Sequence, residues 1–210
     1  MCNINIIYNK RNKDDILISE IMNVVSFNSF TSNHDGEGYI MLNKNGLTYD
    51  KSRGKIIYGD KCRLLITHQR MATTGNNYFM THPHIHNRFL LMHNGIFYSL
   101  GNKNKSDSYI YLKKLVKNFN KTKDIIKAIQ ITNKKYPGSY SIVLYDKLKK
   151  KFYYYKDDFT KMFLIENDNY RVLSTNLSNM EYCKTFLKIK GRIKEIKPYI
   201  IYDLLSFKAI

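Results

Sequence analysis

Residue types capable of chemistry crowd into the first half of the chain. A cysteine stands at position 2, just before an apolar run from Ile4 to Tyr8. With Met1 removed, Cys2 holds a thiol nucleophile and a free α-amine on one residue. The amine then serves as the thiol's base, the arrangement used by N-terminal threonine nucleophiles. All six histidines fall between His34 and His93, and such clustering points to a site, because imidazole is the commonest polar catalytic and metal-binding side chain. Within the cluster, His82-Pro83-His84-Ile85-His86 sets His84 and His86 on one face of a strand and Ile85 toward the core. No carboxylate or cysteine stands at a familiar ligand spacing from them, so no metal and no cofactor is expected. His34-Asp35-Gly36-Glu37-Gly38 has the make-up of a turn before a strand, and His93-Asn94-Gly95 that of a strand end.

These residues need elements to carry them. Asn3–Tyr8 is expected to be a buried strand. Lys13–Phe27 is expected to be a helix, with Leu17, Ile18, Ile21, Met22 and Val25 on one face and Asp14 and Asp15 at its start. Tyr39–Leu42 and Gly46–Tyr49 make a hairpin around Asn45-Gly46. Cys62–Thr67 and Phe89–Met92 are further apolar strands. Helical spacing then runs through Asp107–Phe119 and Lys123–Tyr136, ended by Pro137-Gly138. Strands return at Ser139–Asp146, Lys151–Tyr155, Met162–Glu166 and Tyr170–Ser174. A short helix over Leu177–Phe186 precedes two strand-like stretches, Arg192–Ile196 and Tyr199–Asp203. Strands, two consecutive helices, then strands again argue for layered α+β packing rather than βαβ alternation. No repeat or linker interrupts the chain, so residues 1–210 are expected to form a single domain.

Composition narrows the class. A chain of 210 residues that is 43% hydrophobic and 14% aromatic is globular rather than disordered. Three cysteines do not make a disulfide framework, and Cys62 and Cys183 have the settings of small buried hydrophobes. No apolar run reaches membrane-spanning length and no charged-then-apolar leader is present, so a cytoplasmic protein is expected, with no membrane partner. The net charge of +18 invites a nucleic-acid reading. The lysines are scattered, the densest run (Lys147 to Lys151) has the look of a hairpin turn, and no nucleic-acid-binding motif is visible. Nucleic-acid binding is therefore not expected as the main function.

Taken together, Cys2, Asp35-Gly36-Glu37-Gly38, His68-Gln69-Arg70-Met71-Ala72-Thr73, His82-Pro83-His84, His93-Asn94-Gly95 and Ser106-Asp107-Ser108 occur in a telling order. In that order the chain resembles the class II glutamine amidotransferases, whose glutaminase domains use an N-terminal cysteine. Gly138–Ser141 and Val172–Thr175 are similar to the small-residue strand and later strand end of that family. The compact Asp-Gly-x-Gly form also looks like its stand-alone amidotransferase-like and γ-glutamyl amide hydrolase branch. The resemblance runs from residue 1 to about residue 180 and implies the αββα sandwich of N-terminal-nucleophile hydrolases.

The resemblance also implies roles. Cys2 attacks the glutamine side-chain amide, and its α-amine, with an ordinary pKa of about 7.7–8.0, relays the thiol proton to departing ammonia. Asn94 and Gly95 donate to the tetrahedral oxyanion. Arg70 clamps the α-carboxylate beside Thr73 and Thr74, Asp107 accepts the α-ammonium, and His82 lies near the glutamine site. Gly75–Thr81 matches the loop that closes over glutamine. The chain departs from the family at Asn3, Met71, Thr74 and Ser108-Tyr109, where Gly, an aromatic residue, His and Thr-Glu are usual. The reading expects a glutaminase that supplies ammonia to a separate acceptor or synthase subunit. A stand-alone amidohydrolase acting on a γ-glutamyl or related amide, and a catalytically silent basic binding protein that keeps the fold, are the alternatives.

Overall fold

The computed structural model describes residues 2–73 and 77–210. In chain order the elements are β1 (Asn3–Asn9), α1 (Ile16–Phe30), β2 (Glu37–Asn43), β3 (Gly46–Ser52), β4 (Leu64–Gln69), β5 (His84–His86), β6 (Phe89–Phe97), α2 (Asp107–Thr122), α3 (Ile125–Lys135), β7 (Gly138–Asp146), β8 (Lys151–Lys156), β9 (Phe163–Glu166), β10 (Tyr170–Ser174), α4 (Leu177–Phe186), β11 (Lys194–Glu195) and β12 (Tyr202–Asp203). They gather into two compact units. One holds the chain up to Met71 with Thr81–Pro83 and Lys161–Ile196; the other holds Ala72–Met80, His84–Thr160 and Lys197–Ile210.

The first unit is built on an antiparallel sheet in the order β11-β9-β10-β1-β4-β2-β3. Helices α1 and α4 lie against it. Asp15 caps α1 by accepting the Leu17 N–H at 3.0 Å, and Asn176 caps α4 by accepting the Ser178 N–H at 2.9 Å. The expected α1 stripe is real: Ile18, Ile21, Met22 and Val25 pack with Ile7, Leu65, Val172 and Cys183 in one core. Each such fully buried aliphatic side chain contributes about 1.5–3 kcal/mol relative to exposure.

The second unit carries an antiparallel sheet in the order β12-β8-β7-β6-β5. Ser106 caps α2 through the Tyr109 N–H, Asp124 caps α3 through the Ile126 and Lys127 N–H groups, and Lys123 turns the chain between them at φ 56°. Leu112, Leu115, Val116 and Phe119 of α2 and Ile125 and Ile129 of α3 join Leu91, Phe97, Ile142 and Tyr155 of the sheet in its core.

Two expectations are corrected here. His93-Asn94-Gly95 does not end a strand: β6 runs on to Phe97, pairing Asn94 with Ser141 and Gly95 with Tyr140 on β7. Ile85 does not face the core. It is exposed while His84 is buried, because Ser106 Oγ meets His84 Nε2 at 2.9 Å and fixes the imidazole inside.

Candidate active site

The first unit brings together Cys2, Arg70 and His82 with their supports. Pairing of β1 with β4 sets Asn3 across from Gln69 and Ile4 across from His68, so the chain leaving β4 runs alongside Cys2. The Cys2 thiol accepts the Met71 N–H at 3.3 Å and donates to Met71 O at 3.4 Å. Cys2 is half-buried, whereas Cys62 and Cys183 are buried. Burial pushes the Cys62 thiol up to about 11 and the Cys183 thiol up to about 12. The thiolate is the nucleophilic form, so those two are inert near neutral pH.

Arg70 is only 4% exposed, which is not the setting of a plain surface ion pair. Its N–H donates to Gly36 O at 2.8 Å, and the Asp35 N–H donates to Arg70 O at 3.1 Å. The Asp35–Gly38 stretch is thereby laced to the end of β4. Gly38 then passes so close to the His82 carbonyl that a Cβ there would lie 1.8 Å from its oxygen. The His82 ring packs against that of His68, with centroids 4.0 Å apart. Lys51, opposite Gly38 on β3, donates to Thr81 O at 3.1 Å. Burial, and then the neighbouring Arg70 charge, hold its ammonium below the usual lysine range.

A buried polar chain behind these residues was not foreseen. Glu37 accepts from the Ile56 N–H at 2.7 Å, the Tyr58 hydroxyl at 2.8 Å and Gln69 Nε2 at 2.9 Å. Asn5 Nδ2 donates to Gln69 Oε1 at 3.0 Å, and Asn5 Oδ1 accepts from Ser174 Oγ at 2.6 Å and Asn179 Nδ2 at 3.0 Å. Each of these bonds has one end, Glu37, Gln69 or Asn5, within three residues of Gly36, Arg70 or Cys2 in sequence. A buried network of this kind fixes strand register, because any slip leaves several polar groups unpaired. The available sequence clue was an asparagine between Ile4 and Ile6 in an otherwise apolar strand.

The second unit holds Asn94, Gly95 and Asp107. Asn94 is 3% exposed, and its Oδ1 has no hydrogen-bond partner among the described residues. Gly95 has φ 137°, and a Cβ there would lie 2.0 Å from Ser139 O. Glycine at this position is thus demanded by the neighbouring β7 strand, whatever else approaches it. Asp107 is the first residue of α2, and Ser106 rather than Asp107 is the cap. The Asp107 carboxylate is buried and accepts the Phe97 N–H at 2.8 Å. Ser108 Oγ lies 2.7 Å from His93 Nδ1 and donates to Asp107 Oδ1 at 3.4 Å, so a chain of contacts leads from Asp107 to the residue before Asn94. Burial pushes the His93 imidazole below its usual pKa, against the opposing Asp107 charge. Thr73 is exposed, whereas Thr74 and the start of the Gly75–Thr81 loop lie outside the described residues. Among the described residues no group of three or more His, Cys, Asp or Glu side chains is placed to hold a metal ion, and no helix is long and apolar enough to cross a membrane.

Compared by sequence, the chain matches no family model and no curated protein. Compared by structure, it superposes on glutamine phosphoribosylpyrophosphate amidotransferase from B. subtilis with a TM-score of 0.73 at 14% identity, over 100% of this chain and 49% of that one. The chain has the fold of the class II glutamine amidotransferases. An enzyme described as the allosteric regulatory enzyme of purine biosynthesis gives a TM-score of 0.69 at 14% identity, over 96% of this chain and 47% of its own. A predicted glutamine amidotransferase from Pseudomonas aeruginosa gives 0.55 at 11% identity, over 99% of this chain and 94% of its own. The chain therefore spans about half the length of the first two structures and nearly the whole of the third.

Proposed function

We propose that the protein is a glutaminase of the class II amidotransferase kind, working through Cys2. What carries the reading is the thiol itself. In an amidotransferase fold, Cys2 heads β1, is half-buried and is held by the Met71 main chain, while both other thiols are buried and hard to ionise. Cys2 Sγ adds to the side-chain carbonyl carbon of glutamine and a C–S bond forms. The thiol proton passes to the Cys2 α-amine and on to the departing nitrogen, which leaves as ammonia. Water then cleaves the thioester, giving glutamate and restoring the thiol. Asn94 and Gly95 are assigned to the oxyanion. Arg70, with Thr73 and Thr74, is assigned to the α-carboxylate, Asp107 to the α-ammonium and His82 to the wall of the glutamine site. The ammonia goes to a separate acceptor or synthase.

Ammonia release from L-glutamine tests this. Wild-type protein should produce ammonia and glutamate in equal amounts, and Cys2→Ala should produce neither while melting at the wild-type temperature. Activity that survives Cys2→Ala, or disappears in Cys62→Ala at unchanged stability, contradicts the assignment.

A further inference from the structure

The charge of the chain is not evenly spread over the fold. Residues 103–135, which cover α2, α3 and the approach to α2, hold ten of the 35 basic residues but two of the 17 acidic ones. With both aspartates counted, the segment still carries ten positive and two negative charges, a net +8. Asp107 is buried on the Phe97 N–H, and Asp124 is occupied in capping α3. Nine of the ten lysines are exposed, and no salt bridge among the described residues involves any of them. The apolar side of α2 is committed to the core of its unit, so the lysines occupy the opposite side.

The arrangement on α2 is linear. Lys113, Lys117 and Lys121 recur every fourth residue, about 6 Å apart along the axis, and together with Lys114 span a sector of about 100°. At its N-terminal end this ribbon borders a groove of about 330 Å³ lined by Asn102, Lys105, Ile110, Lys113, Lys114 and Lys117. Partly exposed aromatic rings sit among the ammonium groups: Lys113 Nζ is 6.0 Å from the Tyr109 ring, and Lys114 and Lys135 Nζ are each 5.8 Å from the Tyr136 ring.

We propose that this lysine-covered helical face of α2 and α3 is a docking surface for single-stranded nucleic acid. The basic residues are all lysines, with no arginine between Arg88 and Arg171. Lysine binds phosphate as a point charge without demanding a fixed geometry, as a flexible strand requires. A ribbon of about 12 Å that lines the groove and continues past it at Lys121 suits an extended polyanion better than a single small anion, and rings interleaved with cations give bases a place to stack. The surface is separate from the Cys2 chemistry and does not depend on it.

Fluorescence anisotropy with labelled 20-nucleotide oligo-U and oligo-dT measures this on the full chain at about 0.1 M salt. The triple variant Lys113→Gln, Lys117→Gln, Lys121→Gln should bind at least about tenfold more weakly, and its log–log salt slope should fall by about 2, the loss expected for three single-strand phosphate contacts. The control Lys147→Gln, Lys149→Gln, Lys150→Gln removes the same charge from the β7–β8 turn and should change affinity less than about threefold. Thermal melts confirm that both variants fold. Either oligonucleotide binding in this pattern supports the face. Equal weakening in both triples would show an effect of bulk charge and overturn the proposal. So would competition by poly-glutamate as effective as by unlabelled oligonucleotide, or the absence of wild-type binding.

Discussion

Arg70 and Asn94 are both almost fully buried polar side chains, yet their assigned roles separate in kinetics. A bidentate carboxylate clamp acts on bound substrate and transition state alike. Arg70→Lys is therefore expected to raise KM with little change in kcat. An oxyanion donor acts mostly in the transition state, and Asn94→Ala is expected to lower kcat by about 10²–10³-fold. Steady-state glutaminase assays read the split, and parallel changes in both constants in both variants would mean the roles are wrongly divided. His93 makes a prediction of the opposite kind, about stability. Burial lowers its folded-state pKa, while in the unfolded chain it titrates near 6.5. Below that pH the unfolded state takes up a proton that the folded state resists, so stability is present above about 6.5 and is lost as the pH falls through that value. Urea unfolding at pH 7.5 and 5.5 should show a smaller loss for His93→Gln than for wild type. An equal or larger loss would remove His93 as a source of the pH dependence.

At the scale of elements, the site depends on register in β1, β4 and β2. Gly38 tests how tightly that register is held. Its backbone angles are unremarkable for any residue, but an added methyl meets the His82 carbonyl, which has little room to move. Gly38→Ala should cost at least about 2 kcal/mol by urea unfolding, as overpacking does. Gly46 in the β2–β3 turn has open space around it but φ 119°, so Gly46→Ala should cost only about 1 kcal/mol, from backbone conformation alone. A milder effect at Gly38 than at Gly46 would contradict the close approach. The elements differ in how far the sequence revealed them. Helices were legible because their signals are local: Asp15, Ser106, Asp124 and Asn176 cap, and apolar residues recur at 3.6-residue spacing. The continuation of β6 through His93-Asn94-Gly95 was not, because only pairing with the distant β7 makes that polar stretch a strand. Ile85 misled for the same reason. The strand alternates as its sequence implies, but which face turns inward is decided by a hydrogen bond between His84 and Ser106, 22 residues on.

For the molecule as a whole, the order of motifs revealed the fold that the structural comparison shows, at identities too low for any single stretch to reveal it. The buried network from Glu37 to Asn179 stayed hidden, since its members are separated by up to 174 residues and only the fold joins them. The lysine density of residues 103–135 is visible in the sequence as a count, but only helical geometry sets Lys113, Lys114, Lys117 and Lys121 of α2 within one sector. The assignment of Cys2 as the nucleophile is tested by mass spectrometry after treatment with a diazoketone analogue of glutamine. The expected product is a protein lacking Met1 that carries one adduct per chain, located on Cys2, formed in step with loss of glutaminase activity and prevented by excess glutamine. Active protein that retains Met1, or an adduct found chiefly on Cys62 or Cys183, would contradict it.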